Sequence, residues 1–122
     1  MANAITLSAS LSVSGPASAP GLAMRDQVAQ SGTNYHADII SVLSASTNAI
    51  PKGGVGTVFG LIIHNLDAAN SVSVSTDNAN TNKICTIQAG KTCPIFYPPA
   101  AATLYWTAAT APVLCEYLMV EA

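Results

Sequence analysis

Two imidazoles, three thiols and one glycine-lysine-threonine run are the groups in this 122-residue chain with chemistry to offer. His36 stands two residues before Asp38, and His64 three before Asp67. A catalytic histidine of this kind would activate a hydroxyl or thiol while an acid fixed its tautomer. Cys115 or any of many serines fits that role, and no spacing selects one. We therefore expect His64 to be a polar strand-end residue with a satisfied backbone bond, His36 to lie at the surface, and the chain to have no catalytic residue.

The run Ala89-Gly90-Lys91-Thr92 resembles the tail of a phosphate-binding loop. Such a loop needs an earlier glycine and a following helix. Cys85 occupies the glycine position and Cys93-Pro94 starts a strand, so a hairpin turn with Gly90 at its tip is the expectation. Residues 77–82, DNANTN, carry oxygens of the sort calcium takes, without the glycine and terminal glutamate of an EF-hand loop. An ion-free polar loop is expected, with no metal and no cofactor elsewhere. The cysteine count is odd, so at least one thiol is unpaired within the chain. Cys85 and Cys93 flank the Gly90 turn, where a cross-strand bridge is conceivable. In a reducing cytoplasm three half-buried thiols are the expected state.

Aromatic rings gather late in the chain: Phe96, Tyr97, Tyr105, Trp106 and Tyr117. Tyr105 and Trp106 are adjacent, so a strand there sends one ring to each face. Core packing accounts for one ring and a subunit contact for the other, with a carbohydrate platform as the lesser alternative. Tyr97, Tyr105 and Trp106 are thus candidate contact residues, together with Leu7 and Leu11 of the first strand.

Composition narrows the class. Charged residues are 8% of the chain against a usual value of about 25%, hydrophobic residues are 50%, and the net charge is −2. Disorder needs the opposite balance. A lone subunit with so few charges would have little colloidal protection, which points to a surface covered by other subunits. Arg25, Lys52, Lys83 and Lys91 are scattered, so nothing supports direct nucleic-acid binding. No apolar run approaches the length of a membrane helix. The first residues lack the charge and apolar block of a signal peptide, although Ala17-Ser18-Ala19 mimics a cleavage site, and synthesis inside the cell is expected.

The elements that would position these groups are strands. Ile5, Leu7, Ala9, Leu11 and Val13 alternate with Thr6 and Ser8 to Ser14, a period of two that specifies one apolar and one polar face. Gly15 to Gly21 reads as a linker of small residues, and 22–34 as loop long enough to lie across a neighbour. Residues 35–45 form the second strand, and 48–56, NAIPKGGVG, a reversing connection. Residues 57–67, TVFGLIIHNLD, are apolar on both faces, as expected of a strand covered on both sides, and so are 113–120 apart from Glu116. Strands at 71–76, 83–89, 92–97 and 103–108 complete eight. The first of these should pair with 57–65 as a hairpin, and 83–89 with 92–97. With no credible helix, an all-β antiparallel sandwich of jelly-roll or Greek-key type follows: an extended arm over 1–34 and a core over 35–122, one domain overall.

Three successive stretches, NAIPKGGVGTVFGLIIHNLDAANSVSVSTDN, ICTIQAGKTCPIFYPP and LYWTAATAPVLCEYLMVEA, resemble small β-sandwich virion proteins of tailed bacteriophages. Asn65-Leu66-Asp67, Ile87 to Lys91, Leu104-Tyr105, Ala108 and Glu121 occupy the places that carry the likeness, which spans 48–122. The resemblance implies no active site. It implies adhesion: a capsid decoration (cement) protein on the head surface, forming a dimer or trimer and gripping the major capsid protein. A tail, neck or fibre module binding a host-surface glycan is the alternative.

Overall fold

A computed structural model describes residues 4–12, 21–29, 34–96 and 103–121. Ten strands are present among them and no helix: β1 (Ala4–Ser12), β2 (Gly21–Ala29), β3 (Tyr35–Val42), β4 (Asn48–Ala49), β5 (Val58–Asn65), β6 (Val72–Ser75), β7 (Lys83–Ile87), β8 (Thr92–Phe96), β9 (Tyr105–Ala108) and β10 (Val113–Glu121).

Eight of these build a sandwich of two four-stranded antiparallel sheets, in the orders β3-β10-β5-β8 and β4-β9-β6-β7. Apart from the β6–β7 hairpin, successive strands cross from one layer to the other, and this is the strand order of an eight-stranded jelly roll. The alternation dictates the core. Leu61 and Ile63 of β5 and Val113, Cys115, Tyr117 and Met119 of β10 face inward from one layer, meeting Val72, Val74, Trp106 and Ala108 from the other. Trp106 is 1% exposed and meets Tyr117 edge-on, with ring centroids 5.3 Å apart. The Tyr117 hydroxyl reaches across the core rim and donates to the carbonyl of Pro51 at 2.7 Å.

Two expected hairpins are absent from the pairing. β5 and β6 lie in different sheets, as do β7 and β8, so residues 66–71 and 88–91 are arches from layer to layer. The physical reason is that both strands of each pair carry an apolar face that needs an opposing layer more than a lateral neighbour. Asn65 shapes the first arch. Its fully buried amide donates to the carbonyls of Asn70 (2.8 Å) and Ile87 (3.1 Å), while its side-chain oxygen accepts from the amide of Asp67 at 2.9 Å. Asp67 then accepts from the amides of Ala69 and Asn70, bonds that hold its carboxyl below the usual range. Gly90 turns the second arch with φ +68°.

The expected loop after residue 21 is partly strand. β2 pairs with β1 through all nine residues as a separate two-stranded sheet. Likewise the reversing connection contains β4, two residues that pair with Trp106 and Tyr105. β8 is an edge strand interrupted by Pro94, tolerated because the solvent side of an edge needs no donor.

Candidate functional site

The residues of greatest interest lie on the outer face of the β3-β10-β5-β8 sheet. Registers set Ala37, Leu118, Ile62 and Pro94 side by side across its four strands, and Ile39, Glu116, His64 and Thr92 in the next row. The first row is wholly apolar. β5 and β10 are the two central strands, yet Ile62 is 43% exposed and Leu118 44%, with Ile39 at 55% beside them. The expectation that both strands are covered on both sides is therefore met on the inner face only. Among the described residues, Thr6 and Ser8 of β1 stand over part of this face, across a cavity of about 150 Å³ from Ile62 and Leu118.

A hollow of about 580 Å³ opens on this face, walled by Ala37, Ile39, Ile62, His64, Glu116 and Leu118. At its floor His64 Nδ1 lies 2.8 Å from a carboxylate oxygen of Glu116. His64 thus finds its partner in a side chain one strand away, neither the expected backbone group nor Asp67. The pair is a surface ion pair when the ring is protonated, and it borders the apolar row.

The groups nominated for catalysis do not converge. Cys115 precedes Glu116 on β10 and so projects to the opposite face, into the core. Burial, and secondarily the Asp67 charge, pushes its thiol up to about 11, away from the thiolate a nucleophile needs. His36 is half-buried against Tyr117 at 5.7 Å, with Nε2 unpartnered, where a surface position was expected. The Gly90 run has no helix after it; β8 follows directly. In the 77–82 loop, Asp77 is engaged by the amides of Thr81 and Asn82 and by the Thr81 hydroxyl, bonds that lower its pKa. Among the described residues no three His, Cys, Asp or Glu side chains are placed to hold a metal ion, and no helix is long and apolar enough to cross a membrane.

The candidate contact residues separate. Trp106 is a core residue and not a contact residue, and its strand neighbour Tyr105 is the half-exposed ring of the pair. Tyr97 lies outside the described residues, and so do the side chains of Leu7 and Leu11, whose strand is described. Sequence reading missed Ile39, Ile62 and Leu118. The signal for Ile62 and Leu118 was present in the doubly apolar pattern of β5 and β10, taken as burial within one chain. Cys85 and Cys93 are free thiols on facing sheet edges rather than on one hairpin, and burial, then the hydrogen bond the Cys85 thiol donates to Cys93, pushes Cys85 up to about 12.

Set against protein-family models, curated proteins and solved structures, the chain matches none.

Proposed function

We propose that the protein is a non-enzymatic structural subunit of a tailed-phage virion, a capsid decoration protein that binds its own copies and the major capsid protein. The observation carrying this reading is the exposed apolar row Ala37, Leu118, Ile62 and Pro94 that runs across a whole sheet. Exposed apolar surface of this kind marks protein contact. Few charges, a jelly-roll sandwich and a separate N-terminal hairpin fit a subunit whose surface is completed by neighbours. Fold alone assigns no function, so the weight rests on the sequence likeness and the exposed face together. The glycan-binding alternative has lost the Trp106 ring as a platform.

Sedimentation of the purified chain, alone and with empty phage heads, tests the proposal. A dimer or trimer that travels with heads supports it. A monomer that ignores them overturns it and leaves sugar binding, followed through tyrosine and tryptophan fluorescence, as the reading to pursue.

A further inference from the structure

β7 and β8 are edge strands of the two facing sheets, and they meet at one border of the sandwich. Cys85 stands directly opposite Val74 of β6, and Cys93 directly opposite Ile63 of β5. Directly opposed residues share a face. Val74 and Ile63 are fully buried, so both cysteines turn inward, and each half-buried thiol packs against the core from its own layer.

Stacked sheets ordinarily lie about 10 Å apart, too far for two cysteines to touch. Here the connection between the strands draws them together. Residues 88–91 form a tight turn in which the amide of Lys91 donates to the carbonyl of Gln88 at 3.1 Å, with Gly90 at φ +68°. Asn65 pins both ends of it: its backbone amide donates to the carbonyl of Lys91 at 2.9 Å, and its side chain to the carbonyl of Ile87 at 3.1 Å. A few residues beyond either end, the Cys85 thiol donates to the Cys93 sulfur, and the Cys93 thiol points in turn at the carbonyl of Pro94, 3.8 Å away.

We propose that Cys85 and Cys93 are a dithiol modification site, closed to a disulfide between the two sheets by a low-molecular-weight disulfide. Burial keeps Cys85 protonated, so Cys93 is the sulfur that attacks first. The Cys93 thiol gives up its proton and its sulfur bonds to one sulfur of the small disulfide, whose S–S bond breaks; the departing thiolate takes a proton and leaves as a thiol. The Cys85 sulfur, losing its own proton, then attacks the Cys93 sulfur and expels the second small thiol. The protein is oxidised by two electrons and the small disulfide reduced by two. In a reducing compartment the pair stays open, and in an oxidising one it closes. The bridge straps the layers together at a border where two edge strands otherwise meet through side chains alone. The inference does not depend on the virion reading.

The test uses the full-length protein, reduced, freed of reductant and incubated natively with oxidised glutathione. The wild type should lose two hydrogen atoms and retain no glutathione by mass spectrometry. Trypsin, cutting after Lys83 and Lys91, puts the two thiols on different peptides, which should stay linked, with fragmentation placing the bond at Cys93 rather than Cys115. The thermal midpoint should rise by about 5 °C or more and fall back on reduction. Cys85→Ser should stop at a mixed disulfide on Cys93, and Cys93→Ser should form no bridge; the wild-type peptide map decides the matter should either variant misfold. A wild type that stays reduced or stops at the mixed disulfide, a link through Cys115, a bridge that forms only in urea, or a midpoint that oxidation leaves unchanged or lowers would each overturn the proposal.

Discussion

The side-chain amide of Asn65, at the end of β5, donates to the carbonyl oxygen of Ile87 at the end of β7, a hydrogen bond that ties one sheet of the sandwich to the other. Asn65 has no contact with water, and its second donation and its single acceptance organise the arch that follows. Asn65→Leu should strand two carbonyls and one amide, lowering stability by about 3 kcal/mol in urea unfolding. Asn65→Asp should be no milder, since it sets a carboxylate against the same two carbonyl oxygens. A loss under about 0.5 kcal/mol for both would show that the arch holds without it.

Tyr117 gives the fold an alkaline limit. Burial, then the nearby Asp38 charge, raises its hydroxyl to about 12 from an ordinary 10. A group with a raised folded pKa lends stability that is fully present below the unfolded pKa and is lost as pH rises through the folded one. Thermal midpoints should therefore fall between pH 10 and 12. Tyr117→Phe should shrink that fall while costing about 1 kcal/mol at neutral pH through the lost bond to Pro51.

The thiols of Cys115 and Cys85, raised to about 11 and about 12, should resist alkylation at pH 8 in the native protein and react fully once it is unfolded. Mass spectrometry after a timed iodoacetamide pulse reads both. Their linkage has the sign of the tyrosine's, with stability declining from about pH 9, the unfolded thiol range, upward. Rapid native labelling of Cys115 would contradict its place in the core.

Glu121, at the end of β10, accepts from the amide of Gly56 and from the Asn34 side chain, both at 2.9 Å. A Cβ on Gly56 would sit 2.6 Å from the same carboxylate oxygen. The carboxylate can swing aside, so Gly56→Ala should cost only about 1 kcal/mol, the worth of the exposed bond it forfeits. In a Glu121→Ala background the same change should be close to neutral, and a double-mutant cycle measures the difference.

Strand identity was legible wherever alternation was strong. Phe59, Leu61 and Ile63 announce β5 and Cys115, Tyr117 and Met119 announce β10, because a pleated strand with one buried face leaves a period of two. β2 escaped because Asp26 interrupts its Leu22, Met24 and Val28 series, and β4 because two residues carry no period. Partner choice was less visible. The arches at 66–71 and 88–91 have the length and turn residues of hairpins, and turn chemistry specifies a reversal without specifying which layer the chain enters next. At the candidate site, the apolar residues were readable but their exposure was not, since a doubly apolar strand looks alike whether its second cover comes from the same chain or another.

Pro94 sets a limit on how such molecules meet. It leaves one position of the β8 edge without a backbone donor, so a foreign strand laid alongside would find a gap in the ladder. Sideways growth of this layer into a continuous ribbon of subunits is discouraged at that border. At high concentration this border of the sheet is a poor template for the edge-to-edge pairing that starts fibrils.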